Sequence, residues 1–350
     1  MKLNRKGKAV FAVLGAALMF LLLGWLLLFQ PFHGEGSKDT KVVVIPAGSG
    51  LSAIASKLEA EKVIDGATRF QLRARISGDV SQLQAGQFLM QEGMSYGAAL
   101  DVLTGRARVK GKYVTVPEGL AREEIAPLAA RAGVVGSYLT ASRGSSKLDP
   151  VKYGAPKGSS LEGFLYPDTY ELSRPPTANQ LVASQVEQFK RQFETVDMAK
   201  ARSKNLTPYD VLTIAAMVER ETAVAKERPL VAAVIWNRLK AHTPLGIDAT
   251  TRYQFHNWAR PLLASELASD SPWNTRNRQG LPPGPIGNPG IASIRAAANP
   301  AKVDYLFYVV KPWTCGEHTF TNTQAQFDHA VAAYNSARNG NGGRAPTKCN

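Results

Sequence analysis

The chain has 350 residues, of which 44% are hydrophobic and 20% are charged. This composition is that of a folded protein rather than a disordered one, and the length allows two or three domains with a sizeable core. The formal net charge of +14 predicts an acidic partner or surface. Nucleic acid, anionic lipid and anionic cell-wall polymer all fit that description.

The N-terminal segment helps to decide among these three kinds of partner. It contains four cations, Lys2, Arg5, Lys6 and Lys8. Residues 9–29 then form a run of 21 residues without a charge, which as a helix spans a bilayer. A cleaved signal peptide is the alternative, but residues 26–32 offer no small-x-small cleavage site.

We therefore expect a cytoplasmic tail over residues 1–8 and a single-pass anchor over residues 9–29, because a basic flank stays on the cytoplasmic side. The rest of the chain then lies outside the cell membrane. That placement argues against nucleic acid as the routine partner.

After a polar linker over residues 30–40, residues 41–111 have the pattern of a small module. The predicted elements are strands at 41–45 and 86–90 and helices at 51–60 and 96–103, the last capped by Ser95. This strand–helix–helix–strand–helix order resembles a LysM-like glycan-binding module with an extra segment. A support domain that binds nothing is the alternative.

Residues 112–338 predict a larger mixed domain, so that the whole chain is of the α+β class, and its central helix is expected at residues 207–222. Thr207 suits the N-cap and Pro208 the first helical position. Glu219 and Glu221 fall beside the apolar stripe of this helix. A partly desolvated carboxyl favours its neutral form, which is what a general acid needs. Such acids are also commonly solvated or ion-paired, so the helix alone does not establish catalysis.

Two further groups of polar residues accompany this helix. Residues 161–170 combine aromatics and acids, namely Glu162, Tyr166, Asp168 and Tyr170. Rigid aromatic surfaces beside carboxylates can hold sugar rings, although a buried turn uses the same residues for packing. The second group is Asn237, Asp248, Thr250, Asn274 and Thr275. Asp248 and Thr250 are expected on a turn that faces Glu221, and residues 280–290, with four prolines and four glycines, predict a rigid wall.

The cysteines and histidines limit the remaining chemistry. Cys315 and Cys349 predict one disulfide in an exported domain, which would pin the tail over residues 339–350; two free thiols are the alternative. The five histidines are scattered without the spacing of metal ligands. Neither a phosphate-binding glycine loop nor a Ser-His-Asp order is present. We therefore expect neither a metal nor a cofactor.

Six motifs in sequence order resemble those of the MltG-like (YceG-like) endolytic murein transglycosylases. They are Glu162-Gly-Phe-Leu-Tyr-Pro-Asp-Thr-Tyr170, Val218-Glu-Arg-Glu-Thr-Ala-Val224, Asn237-Arg-Leu239, Ser271-Pro-Trp-Asn-Thr275, Gly280-Leu-Pro-Pro-Gly-Pro-Ile286 with Asn288-Pro-Gly290, and His318-Thr-Phe320. The resemblance implies cleavage of the β-1,4 bond after N-acetylmuramic acid within peptidoglycan glycan strands, without added water. It also implies a membrane anchor, a LysM-like module and peptidoglycan synthases as candidate partners.

The resemblance places the catalytic glutamate within residues 219–222. We assign it to Glu221, because a glutamate followed by a hydroxyl residue is similar to the Glu-Ser pair of other lytic transglycosylases, and Glu219 is the reserve candidate. Asp248, Asn274 and Tyr170 are expected as supporting groups. One departure is Gly246-Ile247, where many relatives carry Gln-Thr. A two-acid muramidase that uses water and a non-catalytic wall-binding scaffold are the rival functions.

Overall fold

The computed structural model describes residues 5–31, 34, 36–37, 39–107, 112–173 and 175–349, with side chains described from residue 13 onward. The predicted α+β class is confirmed, since helices predominate and the sheets are two-stranded. The chain divides into two compact units. The first is Met1–Tyr113 with Glu171–Pro176, and the second is Val114–Tyr170 with Thr177–Asn350.

The first unit has a strand–helix–helix–strand–helix core after an N-terminal helix. Its elements are α1 (Arg5–Phe29), β1 (Thr40–Ile45), α2 (Leu51–Ala60), α3 (Ala67–Ser77), β2 (Gly86–Gln91) and α4 (Tyr96–Leu103). β1 and β2 pair antiparallel, and the core is built on fully buried side chains such as Leu58, Phe70 and Tyr96. These bounds confirm the predicted elements. The Ser95 hydroxyl accepts the N–H of Ala98 at 3.2 Å, as the predicted cap requires.

The helix α1 covers the predicted anchor. Its described side chains, from residue 13 to Phe29, are mostly exposed and apolar. Within the part of the chain whose side chains are described, no helix combines the length and apolarity needed to cross a membrane. Residues 1–4 of the predicted tail, residues 32, 33, 35 and 38 of the linker, and the predicted boundary at residue 111 lie outside the described residues.

The second unit is mainly helical. From Lys112 onward the elements are β3 (Lys112–Thr115), α5 (Arg122–Arg131), α6 (Tyr138–Ala141), β4 (Thr169–Leu172), α7 (Ala178–Phe193), α8 (Ala199–Arg202), α9 (Pro208–Glu221), α10 (Arg228–Lys240), α11 (Asp248–Gln254), α12 (Ala264–Leu267), α13 (Ile291–Ala298), β5 (Phe307–Val310), β6 (His318–Thr321) and α14 (Gln324–Gly340). β3 pairs with β4, and β5 pairs antiparallel with β6.

The helix α9 is the centre of this unit and begins as its sequence predicts. The Thr207 hydroxyl accepts the N–H of Asp210 at 3.1 Å, and the Asp210 carboxylate accepts the N–H of Thr207 at 2.8 Å, which is a capping box. All eight residues from 211 to 218 are buried, because α10 and α13 pack against the helix. The helix is therefore enclosed all round rather than on a single stripe, and the two glutamates lie at its C-terminal end.

One prediction for this unit is wrong, because Asp248 and Thr250 lie in the short helix α11 rather than on a turn. The helix α14 has a Thr323 cap and extends to Gly340, two residues into the region predicted as the tail. Cys315 and Cys349 are joined by a disulfide with their Cα atoms 4.7 Å apart, which attaches the tail to the turn between β5 and β6.

The loop over residues 280–290 is fastened by one buried amide, that of Asn288. Its Oδ1 accepts the N–H groups of Gly163 (2.9 Å) and Leu165 (3.0 Å). Its Nδ2 donates to the Leu120 carbonyl (2.9 Å) and to Oε1 of Glu162 (2.8 Å). One side chain thus joins three loops, and this agrees with a wall rather than a lid.

Replacing Asn288 by alanine is expected to lower the free energy of unfolding by about 3 kcal/mol, since it leaves several buried donors and acceptors unpaired. Asn277→Ala is the matched control, because the Asn277 amide is exposed and makes only 3.4 Å contacts; it should cost less than about 0.5 kcal/mol. Urea unfolding of both variants measures the difference. Equal losses would show that Asn288 does not fasten the loop.

Candidate active site

Glu221 is the last residue of α9, and its hydrogen bonds come from neutral groups. The Tyr308 hydroxyl on β5 donates to its Oε2 at 3.0 Å, and the backbone N–H of Ala249 acts in the same direction as this hydroxyl by lowering the pKa of the carboxyl. Burial raises the pKa of Glu221, the Tyr308 hydrogen bond opposes that rise, and the charge of Asp248 adds to it. The carboxyl therefore keeps its proton closer to neutral pH than an ordinary glutamate does.

Glu219, two residues earlier, has a different environment. Its side chain is 7% exposed and its Oε1 lies 3.2 Å from the guanidinium of Arg228. Its Oε2 accepts the N–H of Gly290 at 3.0 Å. Glu219 is thus a paired carboxylate that ties the end of α9 to the loop over residues 280–290.

Tyr308 is held in place by its neighbours on the β5–β6 sheet. The residue is partly buried, and the loss of hydration raises the pKa of its hydroxyl well above the usual value near 10, so that it stays a hydrogen-bond donor. The His318 ring packs edge-on against it with the ring centres 5.2 Å apart. Glu227 fixes that ring, accepting the backbone N–H of His318 at 3.0 Å and lying 2.8 Å from its Nδ1.

Asn237 holds the segment that leads into β5, the strand that carries Tyr308. Its Nδ2 donates to the carbonyls of Val303 (2.8 Å) and Tyr305 (2.9 Å), just before β5 begins. The amide hydrogens of Asn237 are therefore used on the backbone, and the side chain positions the strand that carries Tyr308.

Asp248 is part of an ion pair rather than a free carboxylate. Its Oδ1 lies 2.5 Å from Nε of Arg276, and the two side chains are 43% and 44% exposed. Its charge raises the pKa of Glu221. The hydrogen bond to Asp248 in turn raises the pKa of Arg276. That Asp248 faces Glu221 stays a prediction, and Arg276 is a cation that the prediction did not include.

The other residues of this group are buried supports. The Thr250 and Thr275 hydroxyls lie 3.0 Å apart, and the Thr275 hydroxyl accepts the N–H of Ile247 at 3.0 Å. Asn274 donates both amide hydrogens to backbone carbonyls of residues 267 and 269 and accepts the N–H of Arg276 at 3.1 Å. The expectation that the Asn274 amide orients the substrate does not fit these bonds. It positions Arg276 instead.

The departure at Gly246-Ile247 has a local explanation. Gly246 has φ of +68°, and a Cβ there would lie 3.2 Å from the guanidinium of Arg238. That guanidinium donates to the carbonyls of Pro244 (3.2 Å) and Leu245 (2.8 Å). Glycine accommodates both the left-handed backbone and the close arginine.

The acids and tyrosines of residues 161–170 have hydrogen-bond partners other than Glu221. The Tyr170 hydroxyl donates to the Tyr166 carbonyl at 2.5 Å, and both rings are buried. Asp168 is exposed and accepts from Nε2 of Gln188 at 2.9 Å. The expectation that Tyr170 supports the reaction is therefore not met, because its one hydroxyl hydrogen is used inside the fold.

Comparisons with known proteins show which family this chain belongs to. The sequence profile of the YceG-like family matches residues 43–333, which is most of the chain. The chain belongs to the YceG-like family. It is 31% identical over 326 residues to the endolytic murein transglycosylase of Bacillus subtilis, covering 89% of each chain.

It is also 28% identical to the endolytic murein transglycosylase of Streptococcus pneumoniae strain R6, over 85% of this chain and 59% of that protein. A 2.6 Å crystal structure of a YceG-like protein from Listeria monocytogenes is similar in fold, with a TM-score of 0.56 and 26% identity. That similarity covers 84% of this chain and 99% of the other.

Three groups at the site of this YceG-like chain were missed by the sequence analysis. Tyr308 and Arg276 contact the predicted residues, but they come 87 and 28 positions away from those partners. Thr222 is the third: its hydroxyl is buried next to Glu221 and has no hydrogen-bond partner among the described residues. Only Thr222 carried a signal, as the hydroxyl residue that follows the catalytic candidate.

Glu162 is another buried acid of the YceG-like chain. It accepts the N–H of Arg122 at 3.1 Å, the Tyr253 hydroxyl at 3.2 Å and Nδ2 of Asn288 at 2.8 Å. Burial nevertheless raises its pKa to about 7, against 4.5 for a free glutamate. These contacts make it a junction between loops rather than part of the site at Glu221.

A raised carboxyl pKa makes the native state bind more protons than the unfolded chain between pH 4.5 and pH 7. The free energy of unfolding should therefore fall as pH rises through this window, by about 3 kcal/mol at most. Glu162→Gln is expected to flatten that fall, because glutamine does not ionise. Denaturant unfolding of both proteins at pH 5 and pH 8 measures it. The same slope in both would show that Glu162 is not the group responsible.

Metal ligation has no visible basis in the described part of the chain, where no three His, Cys, Asp or Glu side chains cluster. The chemistry that this site can perform is proton transfer by Glu221, with Tyr308 and the Asp248–Arg276 pair beside it.

Proposed function

We propose that this YceG-like chain is an endolytic lytic transglycosylase. It cleaves the β-1,4 bond between N-acetylmuramic acid and N-acetylglucosamine within peptidoglycan glycan strands and leaves 1,6-anhydro ends. The relatives named endolytic murein transglycosylase support the class of reaction. The observation that carries the residue assignment is the contrast between Glu221, bonded by neutral groups, and Glu219, paired with Arg228.

In the first step, the protonated Glu221 carboxyl donates its proton to the glycosidic oxygen. The bond from C1 of the muramoyl sugar to that oxygen breaks, and C1 acquires oxocarbenium character. The Tyr308 hydroxyl and the Ala249 N–H stabilise the carboxylate that remains.

In the second step, the C6 hydroxyl of the same muramoyl sugar attacks C1. Its proton passes to the Glu221 carboxylate, which restores the starting acid, and the new C6–O–C1 bond closes the anhydro ring. Because the nucleophile belongs to the substrate, its effective concentration is high and the protein needs no second catalytic carboxylate. The negative charge of Asp248 favours the cationic C1, while Arg276 keeps that carboxylate in place.

The surroundings of the other acids weigh against a two-acid muramidase. Asp248 is paired with Arg276, and Glu162 is enclosed by three donors. They also weigh against a non-catalytic scaffold, because a desolvated carboxyl with a raised pKa costs stability and contributes nothing to binding a wall surface.

We also infer a single-pass anchor in the cell membrane, with the N-terminus cytoplasmic and the catalytic unit outside. The support is the 21-residue uncharged run within α1 and its exposed apolar side chains. The β1–α2–α3–β2–α4 unit is then a LysM-like module that binds glycan. Peptidoglycan synthases are the partner proteins that an enzyme so anchored would meet.

Mass spectrometry of purified glycan strands after digestion tests the reaction class. The expected products end in anhydromuramic acid, one water lighter than hydrolysis products. Reducing ends would identify a muramidase, and uncut strands would identify a scaffold.

A further inference from the structure

The turn between β5 and β6, residues 311–317, is fixed at more points than a hairpin needs. The N–H of Lys311 donates to the Glu317 carbonyl at 2.7 Å and closes the turn. The C-terminal tail adds further restraints. The N–H of Trp313 donates to the Pro346 carbonyl at 2.7 Å, and the disulfide joins Cys315 to Cys349. The tail therefore holds this turn rather than merely following it.

Trp313 lies within this restrained turn. Its φ of 61° lies in the left-handed region, which a bulky residue rarely adopts and which costs on the order of 1–3 kcal/mol. The residue is 52% exposed, more than any other tryptophan, tyrosine or phenylalanine described in the second unit. A tryptophan that served the core would be buried and would need no such backbone. The fold therefore exposes the indole ring to solvent, and the unfavourable backbone conformation of Trp313 is the energetic cost.

The turn lies beside the chain that leaves Glu221. A Cβ on Gly316 would be 2.9 Å from the Cβ of Ala223, and Glu317 pairs with Lys226 at 2.9 Å. Trp313 follows Tyr308 by five residues, so it is at most about 17 Å from the strand position that contacts Glu221. A glycan strand of a few sugars covers that distance.

We propose that Trp313 is a sugar-binding platform for the glycan strand, set apart from the bond that is cut and held in place by the Cys315–Cys349 disulfide. This inference rests on the proposed function for the identity of its ligand. An enzyme that cuts within a strand holds sugars on both sides of the cut. The flat indole packs against the C–H face of a sugar ring and loses little conformational entropy in doing so.

The test uses the full chain carrying Glu221→Gln, so that strands bind without being cut, and peptide-free glycan strands of graded length as the probe. Trp313→Ala is expected to weaken the affinity for long strands about tenfold and to leave that for a disaccharide unchanged. Trp313→Phe should keep most of the affinity, because it keeps an aromatic face. Val151→Ala, which is 49% exposed but lies near the other end of α9, should have no effect.

A second set of variants tests whether the disulfide holds Trp313 in place. Cys315→Ser with Cys349→Ser is expected to lower the affinity for long strands, and adding Trp313→Ala to that variant should lower it little further, because both changes act on the same contact. Unchanged affinity in Trp313→Ala, or losses in Trp313→Phe as large as those in Trp313→Ala, would overturn the inference. Failure of the proposed function shows separately, as uncut strands or reducing ends with the unmodified protein.

Discussion

Replacing Glu221 by glutamine is expected to lower the rate of strand cleavage by at least about a thousandfold. Glutamine can still accept the Tyr308 hydrogen bond, so the site keeps its shape, but it carries no transferable proton. The rate of appearance of anhydro ends, measured with purified strands, gives the effect directly. The melting temperature should stay close to that of the unmodified protein or rise, since a buried ionisable group is removed.

Glu219→Gln is the matched control, two residues away on the same helix. It removes the nearer carboxylate of Arg228 and leaves Glu118, at 3.9 Å, as its charged partner, and we expect a loss of about 1–3 kcal/mol in the free energy of unfolding. Cleavage by the folded fraction should remain within about tenfold of normal. If Glu219→Gln abolished cleavage and Glu221→Gln did not, the two roles would have to be exchanged.

Replacing Tyr308 by phenylalanine is expected to slow cleavage about a hundredfold and to change its pH dependence. The Tyr308 hydroxyl stabilises the charged carboxylate and lowers the pKa of Glu221, so its removal raises that pKa. Because the first step needs the protonated acid, activity is lost as pH rises through this pKa. The alkaline limb of the pH–rate profile should therefore move to higher pH.

The other groups that face Glu221 stay in place in this variant. They are Asp248, Arg276 and His318, from three further segments of the chain. Tyr305→Phe, on the segment that leads into the same strand, is the control and should leave the profile unchanged. An alkaline limb that stays put or moves to lower pH in Tyr308→Phe would contradict the role given to this hydroxyl.

The parts of the fold that sequence could predict are those with local causes. The start of α9 depends on Thr207 and Pro208, and the start of α4 on Ser95, so periodicity and caps sufficed for both. Trp313 shows the opposite case. Its left-handed backbone and its exposure depend on the C-terminal tail, which contacts the turn through Cys349 and Pro346. No local sequence pattern predicts a contact between segments so far apart in the chain.

The sequence predicted which residues belong to the site more successfully than it predicted the role of each residue. Asn274 and Tyr170 belong to motifs of the family, yet their polar groups are used on backbone carbonyls inside the fold. A motif does not distinguish a residue that touches the substrate from one that shapes the site. The closest partner of Glu221, Tyr308, lies on a strand whose apolar sequence looks like ordinary core.

The central claim is that one protonated carboxyl, that of Glu221, breaks the strand with no water added. Digestion of purified strands in water enriched in heavy oxygen tests it most directly. We predict anhydro ends that contain no heavy oxygen with the unmodified protein, and no new ends with Glu221→Gln. Heavy oxygen in new reducing ends, or anhydro ends formed by Glu221→Gln at the normal rate, would contradict the account.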